Sequence, residues 1–172
     1  MKNIILVGFM GTGKTAVAKR ISTQLNLRYI STDDLIEKKA GSSISDIFDS
    51  KGEGYFRKLE RAVVEEVSAM QDTVIDTGGG VILNAKNVTD LKRNGIVICL
   101  WASAAMILKR TSKYKHRPLL NVNEPLKKIE ELLDFRKPFY ERADYHINTS
   151  EMSIEDVVGQ VKEILKNARS YQ

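Results

Sequence analysis

The sequence predicts an α/β protein, a three-layer α/β/α domain around a central parallel sheet of about five strands. Three observations predict it. Short apolar, β-branched runs alternate with stretches of helical periodicity, the order that successive βαβ units produce. The runs are nearly continuous rather than alternating, as strands covered on both faces are. The chain has 172 residues, three prolines and no linker, repeat or low-complexity tract, so one domain over 1–172 is expected.

The elements follow in order. Ile4-Ile5-Leu6-Val7 is the first strand. Gly8-Phe9-Met10-Gly11-Thr12-Gly13-Lys14-Thr15 comes next and fits G-x-x-x-x-G-K-[ST], the P-loop. Val17, Ile21 and Leu25 then fall four apart, the stripe of an amphipathic helix. A second strand is expected over 27–30. Ser31 or Thr32 can cap the helix that Leu35, Ile36 and Ala40 continue and Gly41 ends. A short helical piece over 44–48 precedes Lys51-Gly52-Glu53-Gly54, and Phe56, Leu59, Val63, Val67 and Met70 mark a longer helix.

Residues 73–76 read as a strand closing on Thr77-Gly78-Gly79-Gly80. Ala85, Val88 and Leu91 mark a helix stopped by Asn94-Gly95. The most apolar strand is 96–101, and the single cysteine, Cys99, is expected to be buried in it. Residues 104–110 are helical. Over 111–123 the periodicity stops in a basic stretch with Lys113, Lys115, His116, Arg117 and Pro118, the mark of a functional loop. A helix over 124–140 is expected to kink or split at Pro138. A last strand over 144–147 and an amphipathic helix bearing Ile154, Val157, Val158, Val161, Ile164 and Leu165 complete the chain.

Strand, glycine loop and helix are the arrangement that phosphate binding needs. Glycines let the backbone wrap close to phosphate oxygens, and backbone N–H groups at a helix N-terminus face the anion. Gly11, Thr12, Gly13, Lys14, Thr15 and Ala16 form the expected ATP-binding set. Lys14 reaches the β- and γ-phosphates, and the Thr15 hydroxyl binds Mg²⁺.

Other features bear on the acceptor. Leu126, Ile129, Leu133, Arg136 and Tyr140 share three-four spacing, so Arg136 continues an apolar stripe. An inward guanidinium usually has an anionic partner, and a substrate carboxylate is a natural one; the alternatives are an internal ion pair or a snorkelling side chain. The run Gly78-Gly79-Gly80 exceeds what a turn needs and lets a ligand approach the backbone. An arginine in the basic loop, Arg117, can close over phosphates. Arg57, at the start of the long helix, says little by itself.

Apolar residues make up 42% and charged residues 28%, as in soluble globular proteins, and no apolar run approaches a membrane span. Met1-Lys2-Asn3 runs straight into a strand, so no signal peptide and a cytoplasmic location are expected. The net charge of +5 suits anionic small substrates better than nucleic acid, since the basic residues lack interleaved aromatics apart from Tyr114. No unpartnered apolar stripe asks for a partner, so a monomer is expected.

Taken together, these motifs resemble the shikimate kinases in order and spacing over nearly the whole chain. The residues concerned are the P-loop with Met10, Thr32-Asp33-x-x-Ile36-Glu37, Phe56-Arg57-x-x-Glu60, Gly78-Gly79-Gly80, Arg117-Pro118-Leu119-Leu120 and Arg136-x-x-x-Tyr140. The resemblance implies a nucleoside-monophosphate-kinase-like fold with a lid at about 111–123 and a substrate-binding region at about 33–61. It implies ATP- and Mg²⁺-dependent transfer of the γ-phosphate to the 3-hydroxyl of shikimate, giving shikimate 3-phosphate in chorismate and aromatic amino-acid biosynthesis. By position, Asp33 binds shikimate hydroxyls and is the proton acceptor, and Lys14 and Arg117 join it as catalytic residues. Arg57 and Arg136 clamp the carboxylate, while Gly78, Gly79 and Gly80 hold the ring. Arg110 lies against adenine.

Two departures stand out. The family pattern is Asp-x-Asp where this chain has Ser31-Thr32-Asp33, so the first carboxylate, which serves Mg²⁺ through water, is a serine. The strand before the glycine triplet instead ends in Asp76, the place of a Walker-B aspartate. Asp76 is therefore expected to supply the missing carboxylate beside Thr15, the alternative being a cap on the following turn. The loop after the last strand, Asn148-Thr149-Ser150-Glu151-Met152, lacks the family's arginine and proline, so adenine contacts there fall to the backbone. Rival readings are weaker. A gluconate kinase does not need two arginines aimed at a carboxylate. A GTPase matches D-x-x-G at Asp76 but lacks N-K-x-D.

Overall fold

A computed structural model of the protein describes residues 2–112 and 123–170. Five parallel strands form one sheet in the order β2-β3-β1-β4-β5. They are β1 (Asn3–Val7), β2 (Arg28–Ser31), β3 (Thr73–Asp76), β4 (Gly95–Trp101) and β5 (Tyr145–Asn148). The helices are α1 (Lys14–Leu25), α2 (Thr32–Ala40), α3 (Ile44–Ser68), α4 (Ala85–Arg93), α5 (Ala104–Thr111), α6 (Pro125–Tyr140) and α7 (Ile154–Ser170).

Side chains alternate across the strands and divide the apolar interior in two. Ile5, Val7, Ile75, Val97 and Cys99 face α3 to α6 through Val63, Val67, Leu91, Ile107 and Ile129. Ile4, Leu6, Val74, Ile98 and Leu100 face α1 and α7 through Val17, Ile21, Val157 and Val161. The central strand β1 is wholly buried, which accounts for its unbroken apolar run. Cys99 is buried in β4, and the low-polarity surroundings push its thiol up to about 12.

Most expected elements are present within one or two residues of their bounds, and two details differ. The two helical pieces expected on either side of Gly52 are both present within α3 and meet across a kink, where Gly52 is non-helical at φ 78° and ψ 170°. The first difference is that Pro138 lies inside α6, in its last turn, without splitting it. The second is a short 3-10 turn at Val81–Leu83, which follows the glycine triplet and went unread because three residues carry no periodicity. Ser31 is the cap of α2, its hydroxyl accepting from the Asp34 N–H at 3.1 Å, and Gly41 closes that helix at φ 66°.

Parallel pairing brings the carboxyl ends of β1, β2 and β3 to one edge. There Leu6 pairs with Asp76, and Asp76 with Ser31. No described helix is long and apolar enough to cross a membrane.

Candidate active site

Beyond that edge lies a cavity of about 850 Å³ lined by the glycine loop, by Tyr29, Asp33 and Asp76, and by Arg110 on α5. The loop is shaped by positions that a side chain could not occupy. Gly13, immediately before α1, holds φ at 95°, and a Cβ on Gly8 would fall 2.1 Å from the Leu100 carbonyl oxygen. The Thr12 hydroxyl and the Lys14 ammonium both donate to the Phe9 carbonyl, at 2.8 and 2.9 Å. Gly11, Gly13, Lys14, Thr15 and Ala16 all line the cavity, while Thr12 is buried behind it.

Arg110 ties this loop down. Its guanidinium donates to the Gly11 carbonyl at 3.2 Å, to the Thr149 hydroxyl at 3.1 Å and to the Thr149 carbonyl at 2.5 Å. Thr149 in turn donates to the Thr12 carbonyl at 2.9 Å. The P-loop and the turn after β5 are thus one hydrogen-bonded unit.

Asp76 ends β3 almost fully buried. Its Oδ2 accepts from the Thr15 hydroxyl at 2.6 Å and from the Tyr29 hydroxyl at 3.3 Å. Burial raises its pKa, while Thr15, Lys14 and Tyr29 oppose that rise. The following turn does not use it as a cap. The Thr77 N–H donates to Leu6, and the Gly78 N–H donates to the Thr32 hydroxyl at 3.1 Å. Burial and the neighbouring Asp76 keep the Tyr29 phenol protonated, so it acts as the donor.

The glycine triplet meets three charged groups in sequence. A Cβ on Gly78 would fall 2.6 Å from Asp33 Oδ1. On Gly79 it would lie 3.4 Å from Arg136 Nη1 and as close to the Gly8 carbonyl oxygen, and on Gly80 2.6 Å from Arg57 Nη1 and Nη2. Helix α2 positions Asp33, α3 positions Arg57 and α6 positions Arg136. Burial pushes the Asp33 carboxyl up to about 6, against the pull of the Lys14 ammonium and with a smaller push from Asp76.

Arg57 donates through Nη1 to both oxygens of the buried Glu60, at 2.9 and 3.0 Å, and through Nε and Nη2 to Glu53. Burial raises the Glu60 pKa and Arg57 opposes it. Arg136 is 9% exposed, as the apolar stripe of α6 required. It lies over the Phe9 ring at 5.2 Å and donates from Nη1 to the Gly79 carbonyl at 3.3 Å. Its Nε is buried with no hydrogen-bond partner, and no described acid pairs with it. The same Gly79 carbonyl accepts from the Tyr140 hydroxyl at 2.8 Å.

Expected site residues from six separate elements, α1, α2, α3, β3, α5 and α6, therefore converge on one edge of the sheet. Arg117 and nearly all of the 111–123 lid lie outside the described residues. Two contributors were not singled out from sequence. Tyr29 looks like an ordinary strand aromatic, and its hydrogen bond depends on Asp76, which is 47 residues away. Thr149 is one hydroxyl among several in a loop. Glu60 stood in the Phe56-Arg57-x-x-Glu60 motif with no role given to it, and its i,i+3 spacing from Arg57 on a helix was the signal for the ion pair.

Among the described residues no group of three or more His, Cys, Asp or Glu side chains could hold a metal ion. The Thr15 hydroxyl with the Asp76 carboxylate is an all-oxygen pair. It suits a hard, hydrated cation held chiefly by phosphates.

This geometry agrees with the comparisons to known proteins. The shikimate kinase family model matches residues 10–166. A shikimate kinase of Caldanaerobacter subterraneus subsp. tengcongensis is 52% identical over 161 residues, 94% of each chain. One from Thermoanaerobacter pseudethanolicus is 49% identical over the same shares. Among solved structures, shikimate kinase from Acinetobacter baumannii in complex with shikimate superposes with a TM-score of 0.92 at 37% identity, covering 98% of this chain and 94% of that one. The enzyme from Aquifex aeolicus gives 0.81 at 32% identity, covering 97% and 98%. The sheet order, the loop and the charged ring around the triplet therefore have one reading: the fold is the nucleoside-monophosphate-kinase-like P-loop fold, and the chain belongs to the shikimate kinase family.

Proposed function

We propose that this chain transfers the γ-phosphate of ATP to the 3-hydroxyl of shikimate, a step towards chorismate and the aromatic amino acids. One observation carries the reading of the acceptor site. Three successive backbone positions without side chains face Asp33, Arg136 and Arg57, and Arg136 keeps a buried Nε with no partner. A carboxylate is the ligand chemistry that a buried guanidinium donor calls for. A small hydroxy acid has both a carboxylate for the arginines and hydroxyls for Asp33.

The division of labour follows. The P-loop from Gly11 to Ala16 cradles the phosphates, and Lys14 neutralises charge that moves to the leaving oxygen. Asp33 accepts hydrogen bonds from the acceptor's hydroxyls and takes the proton as the hydroxyl attacks in line. Its raised pKa makes it a better base than an exposed aspartate while leaving it ionised at pH 7. Arg57 and Arg136 fix the acceptor by its carboxylate, and Gly78, Gly79 and Gly80 leave room for its ring. Arg110 offers a flat face to the base, because its donors are turned to Gly11 and Thr149. Arg117 closes over the phosphates from the lid.

Magnesium, when bound, neutralises the β- and γ-phosphate oxygens. Thr15 and Asp76 are the residues that would hold it, Thr15 directly and Asp76 through water. Asp76 does from β3 what the family's first acid does from β2, since Ser31 and Asp76 are paired neighbours at the same height of the sheet. We further take the chain as a single kinase domain, monomeric and cytoplasmic, with no nucleic-acid or membrane partner.

The test is ADP release from Mg·ATP with shikimate, quinate, gluconate or a nucleoside monophosphate as acceptor. Stimulation by shikimate is expected, with the others near the background rate. Equal stimulation by gluconate, which shares only a carboxylate and hydroxyls, would overturn the proposed acceptor.

A further inference from the structure

The Asp76 carboxylate is held by two hydroxyls from two different elements. Thr15, the first-turn residue of α1, donates to Oδ2 at 2.6 Å, and Tyr29, on the neighbouring strand β2, donates to the same oxygen at 3.3 Å. The other oxygen, Oδ1, accepts no hydrogen bond among the described residues. Tyr29 lines the cavity with its ring beneath the Lys19 ammonium, 5.6 Å from the centroid. Nothing in the acceptor or phosphate chemistry uses this phenol. The strand pairing places it two residues before Ser31, on the strand that lacks the first acid, and across from the strand that bears Asp76.

A carboxylate serving a hydrated cation must present one oxygen to the metal's water and keep the other fixed. Partners outside the coordination sphere do this in metal sites generally, and they hold both the orientation and the basicity of the ligand. Thr15 cannot do it alone. Once its oxygen coordinates the cation, only its proton still ties it to Asp76, and the pair can swing together about the Asp76 side chain. A second donor, from a strand fixed in the sheet, removes that freedom.

We propose that Tyr29 is a positioning residue for the magnesium carboxylate: its hydroxyl fixes Oδ2 of Asp76 so that Oδ1 is presented to the water shell of the cation beside Thr15. This rests on the assignment of Asp76 to magnesium. The moved acid and the tyrosine form one device. An acid on β3 in place of β2 needs an anchor from β2, and Tyr29 is the β2 side chain that reaches it.

The experiment measures Mn²⁺ affinity by electron paramagnetic resonance in the protein·ADP complex, for the wild type, Tyr29→Phe, Asp76→Asn and the double variant. ADP affinity in the presence of a chelator is measured alongside. Tyr29→Phe is expected to weaken Mn²⁺ binding by about 10-fold, the lower end for lost outer-shell partners. Metal-free ADP binding and the melting temperature should stay unchanged. In the double variant the phenylalanine should add nothing to the effect of Asp76→Asn, because Tyr29 acts only through that carboxylate. Unchanged Mn²⁺ affinity in Tyr29→Phe, with a clear loss in Asp76→Asn, would overturn the role of Tyr29 and leave Asp76 standing. Unchanged affinity in Asp76→Asn would overturn the magnesium assignment itself. A Tyr29→Phe variant that loses metal-free ADP binding equally, or adds to Asp76→Asn, would show that the tyrosine is a structural or independent contact.

Discussion

Two glycine-rich stretches lie side by side at the carboxyl edge of the sheet, and they are glycine for different reasons. In the loop after β1, Gly13 holds φ at 95° with open space where a Cβ would be, so the requirement is conformational. After β3, Gly80 has an ordinary φ of −99°, but a Cβ there would meet both terminal nitrogens of Arg57 at 2.6 Å, so the requirement is spatial. In the proposed function the first stretch bends backbone amides around a phosphate. The second clears backbone out of the way so that side chains from α2, α3 and α6 can stand next to one another. On that reading a nucleotide would be gripped by main chain, and an acceptor by side chains borrowed from distant helices.

That contrast can be broken at several points. Lys14→Met removes the charge at the phosphates and should lower kcat on the order of 10³-fold. Shikimate binding, read by calorimetry, should change little; loss of both would mean the two regions are not separable. Gly80→Ala should push Arg57 off its position and lower kcat/KM for shikimate on the order of 10²-fold. The KM for ATP should hold, and an equal rise in both KM values would erase the distinction.

Asp33 lies where the two regions meet, and its raised pKa has a sign that can be checked. The folded value, about 6, lies above the unfolded one, so the ionised carboxylate destabilises the fold above pH 6, and the penalty fades as pH falls towards the unfolded value. Asp33→Asn should therefore melt higher than wild type at pH 7.5, by on the order of 1–3 kcal/mol. The difference should vanish near pH 4. In the wild type, kcat/KM should fall on the acid side with an inflection near 6, where Asp33 loses its capacity as a base.

Gly13→Ala should cost roughly 1–2 kcal/mol of stability from the left-handed backbone it must adopt, with a raised KM for ATP. A thermal melt at saturating ADP separates the strain from the binding effect. The smallest change should come from Ser31→Ala. It removes a helix cap worth about 1 kcal/mol and should leave the Mg²⁺ concentration for half-maximal rate unchanged. A shift in that concentration would place the serine, rather than Asp76, beside the cation.

How much of this was legible in the sequence follows from the same contrast. The phosphate loop is contiguous, so its motif, its strand and its helix could all be read in one place. The burial of Arg136 was legible because helical spacing is itself a map of burial. Asp76 was legible because it ends a strand. The pairing of Gly78, Gly79 and Gly80 with Asp33, Arg136 and Arg57 was not, since it depends on how α2, α3 and α6 converge in space. Tyr29 was missed for the same reason, its partner lying on the neighbouring strand. The break at Gly52 was legible from Lys51-Gly52-Glu53-Gly54, because local signals mark interruptions.

The buried Cys99 has a practical consequence. It is the chain's one cysteine, closed off in β4, with its thiol held at about 12. Thiolate is the form that reacts with maleimides and oxidants, so in the native state this enzyme is chemically silent to such reagents. A cysteine introduced anywhere on the surface would be the molecule's single addressable handle. Fluorescent or spin labels could then be attached with no need to remove the native residue first.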